Sequence, residues 1–288
     1  MRALTVLITD SASDLPLKWC QENDVKLLSL HVLLNGKDYQ EHHEITSKEV
    51  YDAMRNGAVP KTAQIQPDTF IQTFKACAEK GDAVIYMAFS SELSGTYQTA
   101  ELVHKELLEE YPSFQLTIID SKCASLGLGL LVHQAVKWRD EGLAYDELVK
   151  RIRKHHSSID HIFTVDDLDY LQRGGRISKA AAMMGGLLHI KPILHAVEGR
   201  LLPLEKVRGN KKKLQRMLDL MEERGVHLGE QTIFISHADA IDQAELFRNA
   251  IEERFGTTSF VIESIGSVIG AHVGPGTIAI FYFKETVK

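Results

Sequence analysis

Apolar residues in the first half of the chain occur in short runs that alternate with stretches of helical periodicity. The runs predict buried strands, and the stretches in which apolar residues recur three or four positions apart predict amphipathic helices. In chain order we predict strands over residues 3–9, 27–34, 82–89 and 115–119, and helices that begin near Pro16 and over residues 46–56, 67–80, 96–110, 126–141 and 145–156. Strands that alternate with helices in this way predict a parallel sheet with right-handed crossovers.

Two local signals mark the ends of elements in this half. Asn35-Gly36 is a typical two-residue hairpin turn, so the second strand should turn back on itself there. Thr46 and Glu49 have the spacing of a capping box, in which the two side chains satisfy free backbone N–H groups at a helix start.

The pattern changes after residues 157–158. We predict strands over residues 161–165, 190–197, 201–206, 232–236, 259–264 and 277–283, a hairpin turn at 198–199, and helices over residues 210–224 and 239–255. This mixture predicts a second α/β lobe with a mixed sheet. The chain is therefore expected to form an N-terminal lobe, residues 1–158, and a C-terminal lobe, residues 159–288. With no Pro-rich or Ser-rich linker between them, the lobes should pack closely around a cleft, which is a favoured place for a ligand.

Composition and charge exclude several classes of protein. The 33 Lys and Arg residues against 39 Asp and Glu residues give a net charge of −6, which argues against a nucleic-acid partner. Cys20, Cys77 and Cys123 are an odd set without a close pair, so they predict neither a disulfide framework nor a zinc site. No apolar run approaches the ~18 residues of a membrane-spanning helix, and the N-terminus does not resemble a signal peptide. We expect a cytoplasmic protein.

Three polar loops carry small hydroxyls and glycines where a ligand could bind: residues 60–64, 90–97 and 266–276. The second follows a predicted strand of the parallel sheet, and ligands of such sheets bind beyond the carboxyl ends of the strands. Ser94 and Gly95 at the start of the next helix offer a hydroxyl and free N–H groups to an anion. A plain serine N-cap explains Ser94 equally well, however, and Thr62 and His272 could be ordinary loop or core residues.

The residues favour binding over catalysis. Glu92 stands two positions before Ser94, so the G-x-S-x-G elbow of α/β-hydrolases is absent, and no histidine spacing singles out a catalytic triad. Neither a phosphate-binding P-loop nor a dinucleotide-binding glycine motif occurs, and residues 42–44 lack a metal-ligand spacing, so we expect no cofactor. A serine acyl hydrolase or transferase that uses Ser94, and a sensor of a small anion, stay open as alternatives.

Five motifs together resemble the DegV family of bacterial fatty-acid-binding proteins, which includes the binding subunits of fatty acid kinase. In chain order they are TDSASDLP at 9–16, KTAQ at 61–64, SSELSGTY at 90–97, LQRGGRI at 171–177 and GAHVGPG at 270–276. The resemblance extends over essentially the whole chain. Five motifs in the same order are far more specific than any one of them.

The resemblance implies two α/β lobes with a lipid buried in the larger one. It implies that the fatty acid carboxylate is held by hydroxyls at Thr62 and Ser94, with His272 close by and the Gly95 N–H as a further donor. It also implies a carrier rather than an enzyme, with the fatty acid as its ligand. A separate kinase would phosphorylate the bound acid, and the segment that contains Arg173 and Arg176 matches the part of the family that meets this partner.

The sequence departs from the family pattern at two places. Ala63 stands where a serine is common, and the proline that usually follows soon after comes later, at Pro67. Ser267 stands where a proline is common, ahead of His272. Both departures leave the predicted carboxylate residues in place but leave the geometry of their loops open.

The acyl chain requires an apolar tunnel, because burial contributes ~0.8 kcal/mol per CH₂ group. The sequence offers many candidates for its wall and does not select among them: Leu28, Leu30, Val32, Ile71, Phe74, Phe89, Leu126, Leu128, Leu187, Leu188 and Ile190. Residues 180–188, rich in Ala, Met and Gly, could form a cover that opens, or a closely packed helix with a glycine cap.

One basic cluster stands out in this acidic chain. It consists of Lys206, Arg208, Lys211, Lys212, Lys213 and Arg216. Such a cluster is commonly a solvated helix face, and it could also make transient contact with an anionic membrane surface.

Overall fold

The computed structural model describes residues 5–182 and 190–287. The helices are α1 Leu17–Glu22, α2 Ser47–Arg55, α3 Pro67–Lys80, α4 Thr96–Glu110, α5 Leu126–Asp140, α6 Tyr145–His155, α7 Asp169–Arg173, α8 Lys179–Ala182, α9 Asn210–Arg224, α10 Ile241–Phe255 and α11 Ser267–Val273. The strands are β1 Val6–Asp10, β2 Val25–Leu28, β3 His31–Leu34, β4 Lys37–Gln40, β5 Lys61–Ala63, β6 Val84–Ala88, β7 Leu116–Asp120, β8 Ile159–Thr164, β9 Ile190–Val197, β10 Arg200–Arg208, β11 Thr232–His237, β12 Ser259–Ser264 and β13 Ile278–Phe283. Within these residues, no helix combines the length and the apolar character needed to cross a bilayer.

The N-terminal part of the chain forms the predicted parallel sheet. Its strand order is β2-β1-β6-β7, and every neighbouring pair is parallel. All five residues of β6 are buried, as expected for an inner strand of a sheet covered on both faces. The carboxyl ends of β1 and β6 lie side by side, which brings the loops after these strands together.

The C-terminal part forms the predicted mixed sheet. Its order is β10-β9-β8-β13-β11-β12, antiparallel except for the parallel pair β11 and β12. The turn between β9 and β10 is the predicted one, with positive φ at both Glu198 and Gly199. We keep residues 1–158 and 159–288 as the proposed lobes.

Helix α5 lies between the two sheets. It contacts β6 of the parallel sheet and also β8, β11 and β13 of the mixed sheet. Its first seven residues, 126–132, are all buried, because a helix with a sheet on either side has no solvent-facing side there. Apolar residues of both sheets therefore pack into one continuous core.

The prediction of one continuous strand over residues 27–34 is wrong, because the chain leaves the parallel sheet between β2 and β3. The Leu30 N–H donates to Ser11 Oγ at 2.9 Å, and the Leu30 carbonyl accepts from Glu41 N at 3.0 Å. The second piece, β3, instead joins β4 and β5 in a small antiparallel sheet. The predicted Asn35-Gly36 hairpin joins β3 to β4, and both residues have positive φ, which the tightest hairpin turns require.

Two of the predicted loops contain regular structure. Residues 60–64 include the strand β5, and residues 266–276 include the helix α11, of which six of seven residues are buried. The capping box that begins α2 is confirmed, with Thr46 and Glu49 bonding as predicted. Leu187 and Leu188, and residues 183–188 of the proposed cover, lie outside the described residues.

Candidate functional site

A buried carboxylate at the end of β1 organises the loop that carries Ser94. Asp10 is fully buried and accepts hydrogen bonds from Phe89 N and from Tyr86 Oη, both at 2.8 Å. Burial raises the pKa of Asp10 to about 6. These contacts fix the last residue before the loop, and the Ser90 hydroxyl then donates to Gly199 O of the β9–β10 turn at 3.0 Å. The loop is thus hydrogen-bonded to both the parallel sheet and the mixed sheet.

Ser94 and Gly95 lie directly before α4. Gly95 is the N-cap residue of α4, so the alternative of Ser94 as a plain N-cap is wrong by one position. Ser94 Oγ lies 2.9 Å from Thr96 Oγ1 and 3.3 Å from Thr96 N. The Gly95 N–H has no backbone acceptor among the described residues. A Cβ atom at Gly95 would lie 2.3 Å from Gln64 Oε1, so glycine permits the close approach of Gln64.

Thr62 and His272 meet although 210 positions separate them in the sequence. Thr62 Oγ1 lies 2.8 Å from His272 Nε2. Thr62 is held on β5, whose pairing places it opposite Val32 of β3, and His272 is in the last turn of α11. On its other side the imidazole packs so closely on Gly174 that a Cβ there would lie 2.1 Å from Nδ1. Burial, and to a smaller extent the charge of Arg176, lower the pKa of His272 to about 4.

Arg176 and Arg173 occupy different environments. The Arg176 guanidinium is partly buried and donates to Leu93 O from Nε at 3.1 Å and from Nη2 at 3.0 Å, and also to Gly174 O. Burial lowers its pKa, and no carboxylate of the described residues pairs with it. Arg173 is exposed, and its guanidinium lies 4.8 Å from the centroid of the Tyr170 ring. Arg176 therefore brings an unpaired positive charge to the site.

An apolar cavity of about 220 Å³, which we name the inner cavity, brings most of the predicted residues together. Its polar lining includes Thr62, Ser94, Gly95, Arg176 and His272. Its apolar lining comes from loops that follow β2 and β6 of the parallel sheet, from α7, from β10 of the mixed sheet and from α11, and it includes Leu30, Phe89, Leu93, Leu171, Leu201 and Val268. The polar residues and the apolar wall are the two parts that an amphipathic ligand needs.

Only some of the residues predicted to line the acyl-chain tunnel line the inner cavity. Leu30 and Phe89 line the inner cavity, whereas Val32, Phe74 and Leu126 are buried in the core. Leu93, Leu171, Leu201 and Val268 also line the cavity, although the apolar pattern of the sequence did not predict it. Leu93 and Leu171 lie in the same motifs as predicted site residues, and that proximity was the one sequence signal that they line the site.

A second cavity, of about 260 Å³, lies against the same polar residues, and we name it the outer cavity. The two cavities share Thr62, Arg176 and His272. The outer cavity also includes Lys61 and Arg173, so its wall is basic. The Thr62–His272 pair thus stands between an apolar space and a basic one.

The hydrogen bonds of Ser94 give no support to the alternative of a serine hydrolase or transferase. In the described part of the chain no histidine hydrogen-bonds to Ser94, and His272 bonds to Thr62 instead. Residues 5–182 and 190–287 contain no group of three or more His, Cys, Asp or Glu that could hold a metal ion.

Two members of the basic cluster are engaged within the fold. Lys213 is buried and its Nζ donates to Gln243 Oε1 at 3.1 Å, and Arg216 pairs with Glu205 and Glu223. The other four members are exposed.

Comparison with known proteins gives a consistent result. A sequence model described as "Uncharacterised protein, DegV family" matches residues 5–285. A DegV domain-containing protein of Clostridium perfringens is 39% identical, over 98% of each chain. Among solved structures, a DegV family protein of Thermus thermophilus described as binding fatty acid is 31% identical with a TM-score of 0.87, covering 97% of this chain and 99% of that one. A fatty-acid-binding DegV family protein of Streptococcus agalactiae is 31% identical with a TM-score of 0.86, covering 98% and 99%. The chain therefore belongs to the DegV family.

Proposed function

We propose that this protein binds one long-chain fatty acid, with its carboxylate at Thr62, Ser94, Gly95 and His272 and its acyl chain in the inner cavity. The observation that carries the proposal is that these four residues, which come from β5, the loop before α4 and α11, line the same apolar cavity, with Thr62 and His272 in direct contact. Fatty acid binding by the structural relatives supports it. Neither lobe alone supplies all four residues.

The polar lining of the cavity suits a carboxylate. With its lowered pKa, His272 is neutral at pH 7. A proton on Nε2 would be donated to Thr62 Oγ1, which leaves the Thr62 hydroxyl proton free to donate to the ligand. The free Gly95 N–H and the Ser94 hydroxyl add donors, and hydrogen bonds to a charged acceptor are stronger than neutral ones. Arg176 supplies the compensating charge.

The apolar wall supplies the affinity for the acyl chain. Each additional pair of buried CH₂ groups contributes about 1.6 kcal/mol, or roughly fifteenfold in affinity. A small-anion sensor would need only the polar residues of the cavity, and the apolar wall would then have no role.

We further propose that the bound carboxylate is presented to a partner kinase through the outer cavity. The carboxylate would lie at the residues that the two cavities share, with the acyl chain on the inner side. Lys61 and Arg173 would then attract the anionic phosphate donor or an acidic surface of the partner. In this arrangement the protein carries the fatty acid and the partner kinase catalyses its phosphorylation.

The proposal is tested by mass spectrometry of an organic extract of the purified protein. Wild-type protein should yield a stoichiometric long-chain fatty acid, and Thr62→Ala and Ser94→Ala should be depleted of it. Thr73→Ala is the matched control, because the Thr73 hydroxyl donates to Thr69 O within α3, away from both cavities. Folded wild-type protein that contains no fatty acid, and takes up none when it is added, would contradict the proposal.

A further inference from the structure

The start of α11, the helix that carries His272, is held by two buried carboxylates from the N-terminal part of the chain. Asp14 Oδ1 accepts from Gly266 N at 2.8 Å, and Glu41 Oε1 accepts from Val268 N at 2.8 Å. Asp14 is 4% exposed and Glu41 1%. Both bonds go to N–H groups at a helix start, which have no partner within the helix itself.

The fit between α11 and these carboxylates is too close for any side chain at position 266. A Cβ atom on Gly266 would lie 2.6 Å from Glu41 Oε1 and 2.9 Å from Asp14 Oδ1. Tyr51 adds a third contact, since its hydroxyl donates to Ile265 O at 2.8 Å, and Gly270 lies directly against its ring. The first half of α11 is therefore fixed at several points to the N-terminal part of the chain.

The opposite end of the same helix carries the candidate binding residue. His272 is four positions after Val268, or about 6 Å along a helix at 1.5 Å per residue. Over so short a distance a helix moves as one piece, so a shift at the Glu41 contact moves His272 by a similar amount. The 2.8 Å contact between His272 Nε2 and Thr62 Oγ1 does not tolerate a shift of even 1 Å.

This arrangement is costly for a purely structural contact. Burial raises the pKa of Glu41 to about 7 and raises that of Asp14 as well, and the nearby acids add to the effect. No cation of the described residues pairs with either carboxylate. A serine or threonine could cap a helix start without this electrostatic cost.

We propose that Glu41, together with Asp14, is a positioning residue for the head-group site. The two carboxylates fix α11 and so set the distance between His272 and Thr62 that recognition of the ligand carboxylate requires. The inference rests on the proposed function, and it adds residues that touch neither cavity.

The test compares two ligands of equal chain length on delipidated protein: hexadecanoic acid and hexadecanol. In Glu41→Ala the affinity for the acid should fall about tenfold or more, and the affinity for the alcohol less than threefold, because the acyl-chain contacts remain. Glu41→Gln keeps an acceptor oxygen for Val268 N and should restore the acid affinity to within about threefold of wild type. Asp160→Ala is the matched control.

Asp160 is a buried carboxylate of β8 that accepts from Tyr282 Oη at 2.8 Å and lines neither the inner nor the outer cavity. Its removal should lower the stability without changing the ratio of the two affinities. Gly266→Ala should reproduce the selective loss by displacing α11 with both carboxylates intact, which keeps the test decisive if Glu41→Ala does not fold.

The positioning role would be overturned if Glu41→Ala or Gly266→Ala lost affinity for the acid and for the alcohol equally. It would also be overturned if Glu41→Gln lost the preference for the acid over the alcohol. An unchanged acid affinity in folded Glu41→Ala would overturn it as well. Wild-type protein that binds the alcohol as tightly as the acid, or neither of them, would instead refute the proposed carboxylate site itself.

Discussion

Thr62→Val is the sharpest test of how the head group is held. Valine has nearly the same shape as threonine and remains β-branched, so β5 and its pairing with β3 should be unchanged. The substitution removes only the hydroxyl that lies 2.8 Å from His272 Nε2. It therefore separates hydrogen bonding from packing, which a change to alanine does not.

The expected magnitude follows from the two bonds of that hydroxyl. Loss of a hydrogen bond to a charged carboxylate costs about 1.5–3 kcal/mol, which is roughly 10- to 100-fold in affinity. Loss of an ordinary bond to a neutral alcohol costs about 0.5–1.5 kcal/mol, or at most roughly tenfold. His272 Nε2 also loses its partner, so the free energy of unfolding should fall by about 1–3 kcal/mol.

The assay is titration of delipidated protein with hexadecanoic acid and hexadecanol, with thermal unfolding of the empty protein alongside. Thr73→Val is the matched control, because it removes a threonine hydroxyl that bonds only within α3. Acid affinity equal to that of wild type in Thr62→Val would refute the assignment of this hydroxyl to the carboxylate. Equal losses for acid and alcohol would show that the valine disturbs the cavity wall instead.

Three further predictions concern charge. In the folded protein the pKa of His272 is about 4, below its ordinary value of 6.5. The stabilising contribution of His272 is therefore present above pH 6.5 and is lost as the pH falls from 6.5 to 4. The Tm advantage of wild type over His272→Gln should shrink over that range, and a constant advantage would contradict the lowered pKa. Arg176→Gln should weaken binding of the acid several-fold at low ionic strength and less in high salt, with the alcohol unaffected; equal effects on both ligands would mean that its charge is not used. Lys211→Glu combined with Lys212→Glu should reduce binding to anionic vesicles, at about 1 kcal/mol per basic residue, and unchanged binding would exclude membrane contact through this cluster.

Elements with clear local signals were predictable from the sequence. The helices α3, α4 and α9 begin and end at the predicted residues, and both hairpins form at their predicted turns. These features depend on neighbours in the chain: an apolar periodicity and, in the hairpins, residues that accept positive φ. The parallel and mixed sheets followed from the order of such elements.

Features that depend on distant contacts were not predictable in this way. The sequence SVIGAHV of α11 has β-branched residues and an internal glycine and no polar face, so it lacks the periodicity of an amphipathic helix. The break between β2 and β3 depends on bonds from Leu30 to Ser11 and Glu41. The meeting of Thr62 with His272 across 210 positions is likewise invisible to spacing. The carboxylate residues were identified through the family resemblance, and they stay predictions until binding is measured.

The position of α5 between the two sheets has a consequence for how a ligand is exchanged. Two lobes joined by a linker can swing apart and release a molecule held between them, but here a buried helix fills the space where such a hinge would act. Opening the lobes would expose the core that both sheets share. A fatty acid should therefore leave by a local displacement of the cavity wall, at a rate set by that displacement, while the two sheets stay together and unfold in one cooperative transition.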